Sequence, residues 1–158
     1  MRYTRVDTPV GTLTLVAGGG GLRELLWAGE PPPAGATEGR DAVLAAAAEQ
    51  LRDYFAGRRT AFDLELELHG TAFQRRAWLA LSEIPYATTR SYGEQARMLG
   101  APRAARAVGA ANGRNPLPIV LPCHRLVGTD GSLTGFGGGL DVKQRLLALE
   151  SNALEIKS

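Results

Sequence analysis

The chain has 158 residues, 44% of them hydrophobic, with a formal net charge of +2 and a single cysteine. That length supports one good core or two small ones sharing an interface, and no apolar run approaches the ~20 residues of a membrane span. One cysteine and two histidines exclude an internal disulfide and are too few for a typical zinc site, so the expectation is a soluble cytoplasmic protein with no metal, no cofactor and no membrane partner.

The first segment alternates, with Thr4 and Val6 opposite Tyr3, Arg5 and Asp7, and turns at Thr8-Pro9-Val10-Gly11. Leu13, Leu15 and Ala17 continue the period of two, Gly18 to Gly21 form a turn, and Leu22 to Ala28 read as a further strand. The pattern predicts an antiparallel meander. Four glycines in a row invite a phosphate-loop reading, but no Lys-Ser/Thr pair follows and no helix opens there. Glu30 to Arg40 reads as a surface loop, Asp41 to Ala56 as an amphipathic helix with Gly57 at its left-handed cap, and Phe62 to Leu68 as one more strand whose acids form a wet face.

A boundary falls near His69-Gly70, which predicts an N-terminal α/β structural domain over 1–70 and a second domain over 71–158. Thr71-x-x-Gln74 and Ser91-x-x-Glu94 are capping boxes. The first opens a helix that ends before Pro85; the second opens a short helix to Leu99. Gly100-Ala101 then turns the chain, and Pro102 is placed at the first position of a helix running to about Asn112. Two short helices about a glycine turn form a helix-turn-helix pattern. Spaced at 100° per residue, Ala104, Ala105, Val108 and Ala111 face inward, and Arg103, Arg106, Ala107, Ala110 and Arg114 face outward.

Charge supports a polyanionic partner. Residues 1–70 carry 7 Lys+Arg against 10 Asp+Glu, and residues 71–158 carry 11 against 6, or −3 and +5. An ordinary solvated face made arginine-rich by coding bias is the plainer alternative. Arginines separated by methyl groups favour a helix that comes close to a nucleic-acid groove, since ordinary surface helices spread Glu and Lys there.

The lone thiol lies in Pro122-Cys123-His124-Arg125, after the apolar run Leu117-Pro118-Ile119-Val120-Leu121, which reads as a buried strand. A free cysteine is most often a small buried hydrophobe. The adjacent imidazole tilts the choice towards nucleophilic chemistry.

Several blocks carry a family resemblance. Ser91-Tyr92-Gly93, Ala104 through Gly109, Asn115 through Arg125, Gly138-Gly139-Leu140 and Lys143 through Glu150 closely resemble the O6-alkylguanine-DNA alkyltransferases, as do Thr8 to Gly11, Thr71 to Gln74 and Ile84-Pro85-Tyr86. The resemblance implies an α+β fold, with a small ribonuclease H-like N-terminal antiparallel sheet and helix followed by a mostly helical DNA-binding domain containing the helix-turn-helix. It implies stoichiometric, irreversible transfer of an alkyl group from O6 of guanine in double-stranded DNA to Cys123. O4-alkylthymine as a second substrate and clustering of the monomer along DNA stay open.

By the same resemblance, His124 is the base, reached through a water, and Glu150 orients it. Tyr92 repels the 3′ phosphate and hydrogen-bonds the flipped base, and Asn115 ties the turn before the cysteine. Arg106 fills the vacated stack. Ala107, Gly109 and Ala110 let the helix into a minor groove about 6 Å wide, with Arg103 and Arg114 at phosphates. The base pocket is implied at Pro118, at the Cys123 and Leu126 carbonyls, which would accept from the guanine 2-amino group, and at a loop from Thr134 to Gly139. Three positions depart from the pattern: Phe136 stands for a tyrosine, Gly137 for a serine and Asn112 for a methionine found in some members.

Three rivals compete. Alkyltransferase-like proteins bind the lesion and signal without transfer, but usually carry tryptophan where this chain has Cys123. A Cys-His hydrolase needs a separated histidine that reaches the sulfur, which adjacent residues on a strand cannot provide. A helix-turn-helix transcription factor would carry bulky polar base readers where this chain has alanines.

Overall fold

The computed structural model describes residues 1–132 and 136–157, with side chains described as far as Ala153. The chain divides into two compact units, Met1–His69 and Gly70–Ser158.

In the first unit, β1 (Arg2–Thr8), β2 (Gly11–Gly18) and β3 (Gly21–Leu26) form the expected meander, with β1 antiparallel to β2 and β2 antiparallel to β3. Thr8 closes the first turn, its hydroxyl donating to the Gly11 carbonyl at 2.7 Å and accepting from Val10 N–H. The sheet is mixed rather than antiparallel. A short β4 (Thr37–Glu38) inside the supposed surface loop pairs parallel to β1 and completes the order β3-β2-β1-β4. Central β2 buries Thr14 and Val16 as well as Leu13, Leu15 and Ala17, so both its faces are covered.

Helix α1 (Ala42–Phe55) is capped by Asp41, whose carboxylate accepts from Leu44 N–H at 2.8 Å, and Gly57 follows it with φ +75°. Its buried stripe is Leu44, Ala47, Ala48, Leu51 and Tyr54. The segment Phe62–Leu68 is not a full strand; it meets the sheet at one parallel bridge between Leu66 and Leu22. Leu22 N–H donates to the Glu65 carbonyl and Glu67 N–H to the Leu22 carbonyl, both at 2.8 Å. The glycine turn admits this segment: a Cβ on Gly21 would stand 2.5 Å from the Glu65 oxygen.

The second unit opens with α2 (Ala72–Leu81) and its capping box of Thr71 and Gln74. Buried Trp78 donates its indole N–H to the Ala111 carbonyl at 2.7 Å, which fixes α2 against α4 (Ala105–Gly113). Between them, α3 (Tyr92–Met98) starts from the Ser91–Glu94 capping box and ends before Gly100, φ +75°. Pro102 is not the first residue of α4. Ala104 N–H closes a turn onto the Ala101 carbonyl at 2.8 Å, and α4 begins at Ala105 without a side-chain cap. Arg103 therefore lies in the turn and not on the helix.

Leu117–Leu121 is a tight turn and not a strand. Prolines 116, 118 and 122 deprive the stretch of ladder donors. Asn115 curls it, accepting from Leu117 N–H at 2.9 Å and donating to the Leu121 carbonyl at 2.8 Å. Leu121 N–H returns to the Leu117 carbonyl at 2.8 Å, and Ile119 is driven to φ +74°. Helix α5 (Leu140–Lys157) closes the unit. No helix of the described residues is long and apolar enough to cross a membrane.

Candidate active site

The curl ends in a short 3-10 turn, Cys123–Arg125, followed by β6 (Leu126–Val127). β6 pairs in parallel with β5 (Arg90–Ser91), matching Arg90 to Leu126 and Ser91 to Val127. Tyr92, the next residue, is thereby held at the edge of the cysteine turn. Its ring also lies over α4, where a Cβ on Gly109 would stand 3.7 Å from it, an ordinary contact that alanine would tolerate.

Behind the turn lies a buried charge cluster. Glu150 on α5 is fully buried and receives four hydrogen bonds: His124 Nε2 at 2.6 Å, Arg125 Nε and Nη2 each at 3.0 Å, and Ala87 N–H at 3.1 Å. Arg125 spends its Nη1 on the Ile84 carbonyl at 2.8 Å and rests its guanidinium 5.5 Å from the centre of the Tyr86 ring. Ala87 adopts φ +64°, a strained conformation for alanine, to aim that N–H.

Burial alone would raise the Glu150 pKa, but the hydrogen bonds and charges of His124 and Arg125 outweigh it and bring it down to about 2. Burial pushes the His124 pKa below its ordinary value against the pull of Glu150. The stable arrangement at neutral pH is a glutamate anion and a neutral imidazole. An ionised carboxylate only accepts, so the imidazole proton sits on Nε2 and the lone pair on Nδ1. That Nδ1 is buried and has no hydrogen-bond partner.

Cys123 is 4% exposed. Burial pushes its thiol up to about 11, opposed by a hydrogen bond from Asn115, the charge of Lys143 and the backbone N–H groups of Cys123 and Ile119. At pH 7 the resting sulfur is a thiol. The buried setting disfavours the thiolate. His124 does not need to touch the sulfur along a strand, since both residues lie on a 3-10 turn.

The sequence alone assigns no role to three side chains here. Arg125 reads in the sequence only as part of a motif, although a buried glutamate demands a cation. Lys143 is fully buried, donates to the Leu126 carbonyl at 2.6 Å and stands 6.0 Å from the centre of the Phe136 ring. Lys143, Leu146 and Glu150 form one buried stripe of α5 at spacings of three and four, and two charged residues on such a stripe were the available signal. Asn112 is buried at the end of α4 and donates to the Cys123 carbonyl at 3.4 Å.

The remaining residues divide by position. Arg106, Ala107, Ala110 and Arg114 are exposed, while Val108, Ala111 and Asn112 face inward; Gly109 is half-buried and Arg103 is exposed on its turn. Pro118 is buried and bridges to Leu121, and Leu126 is fully buried. Phe136 is half-buried and Gly137 exposed; Thr134 and Gly135 of the anticipated loop lie outside the described residues. Among the described residues no group of three or more His, Cys, Asp or Glu could hold a metal ion.

Comparison with known proteins follows this division of the chain. Residues 1–68 match the 6-O-methylguanine DNA methyltransferase ribonuclease-like domain, and residues 72–152 match the DNA binding domain of the same family. A methylated-DNA--protein-cysteine methyltransferase of Mycolicibacterium paratuberculosis is 56% identical over 95% of this chain and 92% of its own length. One from Methanosarcina barkeri is 46% identical over 98% and 99%. The crystal structure of Mycobacterium tuberculosis OGT in complex with DNA is similar with a TM-score of 0.90 and 48% identity, covering 97% of this chain and 94% of that one. Matched in both units and along nearly its whole length, the chain belongs to the 6-O-methylguanine DNA methyltransferase family.

Proposed function

We propose that this protein repairs DNA by direct reversal, moving the alkyl group of O6-alkylguanine in duplex DNA onto Cys123 once per molecule. The observation that carries the reading is the buried run of Cys123, His124 and Arg125 on one turn over Glu150, in which a neutral imidazole has an unpartnered Nδ1 and the preceding residue carries a protonated thiol. A relative at 56% identity that bears the methyltransferase name supports it.

In the reaction, the Cys123 sulfur attacks the alkyl carbon in line, the S–C bond forms and the C–O6 bond breaks. The thiol proton passes through one water to Nδ1 of His124, and the resulting imidazolium is stabilised by Glu150, which Arg125 keeps ionised. The departing purine carries the electron pair of the broken bond, and the Tyr92 phenol donates to its N3. A thioether has no leaving tendency, so the protein is consumed.

O6 lies inside a stacked pair, out of reach of a cysteine that is 4% exposed, so the nucleotide must leave the helix at a cost of a few kcal/mol. Exposed Arg106 fills the gap, and small Ala107, Gly109 and Ala110 let α4 sit in the minor groove. Arg103, on the turn before the helix, and Arg114, just beyond it, contact phosphates. Asn115 holds the curl that carries Cys123. Pro118, Leu126, Phe136 and Gly137 line the base pocket, and the protein works as a monomer. Lesion identity is tested by incubating the protein with an oligonucleotide containing O6-methylguanine and mass-analysing the Cys123 peptide. One methyl group per protein is expected; turnover beyond one equivalent, or methyl on another residue, would refute the mechanism.

A further inference from the structure

Among the described residues only Ala87, φ +64°, and Ile119, φ +74°, hold a side chain in the left-handed region that glycine normally occupies. Both lie at the site. Ala87 aims its N–H at Glu150 at 3.1 Å. Ile119 is the more strained of the two, because its β-branched side chain crowds the backbone in that conformation. Strain of this kind persists where the surrounding structure imposes it, and it gathers at functional sites.

The hydrogen bonds of the curl show what the strain achieves. The bridge between Pro118 and Leu121 brings the Ile119 N–H to the closing end of the curl, and Ile119 is 1% exposed, so bulk water does not reach it. The Leu121 carbonyl at that end has two lone pairs, and Asn115 Nδ2 at 2.8 Å and Cys123 N–H at 2.7 Å take both. The Cys123 sulfur is the acceptor that remains, and the Asn115 carboxamide and the Ile119 N–H both hydrogen-bond it. A thiol sulfur is a weak acceptor, whereas a charged acceptor binds a donor about twice as strongly as a neutral one. The bond from Ile119 therefore contributes little at rest and more once the proton has left.

We propose that the backbone N–H of Ile119 is a catalytic donor that stabilises the negative charge gathering on the Cys123 sulfur as the thiol loses its proton, and that the left-handed conformation of Ile119 is kept because it places this donor. The curl does for sulfur what an oxyanion hole does for oxygen, since the donor is fixed before the charge appears. The proton goes through water to His124, the sulfur's electron pair forms the S–C bond, and in the thioether the charge is gone again. The donor thus favours the transition state over both the resting thiol and the product. This inference rests on the alkyl-transfer reading above.

The test replaces Ile119 in the full-length chain by its α-hydroxy acid analogue, which keeps the side chain and turns the Pro118–Ile119 amide into an ester without an N–H. Single-turnover methylation of Cys123 from an O6-methylguanine oligonucleotide should slow by about ten- to a hundredfold, the effect of one hydrogen bond to a charged group. The same ester at Leu121 removes the curl's own bond to the Leu117 carbonyl and should slow transfer by no more than about threefold, with at least as large a loss of urea midpoint. Ile119→Val, which keeps the N–H and shortens the side chain, should react within about twofold of the intact protein. Equal slowing by the two esters, an Ile119 ester as fast as the intact protein, or an Ile119→Val variant as slow as the ester would each overturn the proposal. Should the Ile119 ester not fold, the amide proton resonance of Ile119 in the isotope-labelled intact protein reads the same contact. It should move upfield on methylation of Cys123 and in Cys123→Ala, further than the resonances of Leu117 and Leu121; an unmoved resonance would overturn the proposal. Failure of the intact protein to methylate Cys123 at all would instead overturn the functional reading itself.

Discussion

The molecule contains two clusters of the same three residue types, one in each unit. In the first, Glu67 accepts from Gly20 N–H at 2.8 Å, His69 at 3.0 Å and Arg23 at 3.5 Å; in the second, Glu150 accepts from Ala87 N–H, His124 and Arg125. Both carboxylates are pulled below their ordinary pKa, Glu67 chiefly by its bond to His69. The histidines differ: His69 is 61% exposed, whereas His124 is completely buried. Water screens the first cluster and leaves it a clasp between the glycine turn and its neighbouring segment. Exclusion of water fixes the tautomer of the second, since a buried glutamate anion with a neutral imidazole leaves one choice for the proton.

The largest effect that would separate the two clusters comes from removing what the buried one serves. Cys123→Ser should abolish methyl transfer while leaving affinity for lesion-bearing duplex within about twofold, because the charge cluster and α4 are untouched. Next is Glu150→Gln, which strands a buried arginine and frees the imidazole to take either tautomer. It should cost about 3–5 kcal/mol in denaturant unfolding and slow transfer by about a hundredfold or more.

The same pair gives a pH signature. Burial keeps His124 neutral, so below its ordinary 6.5 the unfolded chain takes up the proton first; Glu150 stays ionised in the fold down to about 2, whereas unfolded it protonates near 4.5. Both terms remove stability as pH falls, the histidine's beginning below 6.5 and the glutamate's between 4.5 and about 2. Urea titrations of the Gln variant should lack the lower limb; an unaltered acid profile would mean that Glu150 is not the anion described.

Arg106→Ala should slow repair in duplex by about ten- to a hundredfold, with little effect on reaction with the free O6-methylguanine base. Affinity for DNA should fall steeply with added salt whatever the sequence. The smallest effect belongs to the exposed cluster: Glu67→Gln should leave the transfer rate and its pH dependence unchanged. A change comparable to that of Glu150→Gln would erase the distinction between the two clusters.

Local patterns in the sequence were readable where the signal is local. Capping boxes at Thr71 and Ser91, the turn at Thr8 to Gly11 and the stripe of α1 each depend on residues within a few positions of one another. Errors arose where side chains reach across the fold. Asn115 curls a run of apolar residues that alone reads as a strand, and the Ala101–Ala104 turn delays α4 past Pro102. β4 has two residues and no periodicity to detect. Glu67 reads as part of a wet face, yet it bonds backbone and side chains on the preceding turn and strand. At the site, the motif around Cys123 was visible, but the partners Arg125, Lys143 and Asn112 become evident only when α4, α5 and the 3-10 turn converge.

The central claim is that Cys123 reacts as a neutral thiol whose proton goes to a buried imidazole. The direct measurement is the single-turnover rate of methyl transfer between pH 7 and 9.5, read by mass at Cys123. With the thiol pushed up to about 11 and His124 already neutral throughout this range, the rate should be flat. A rate that climbs about tenfold per pH unit would show a thiolate formed by bulk base, and would contradict the role given to the buried cluster.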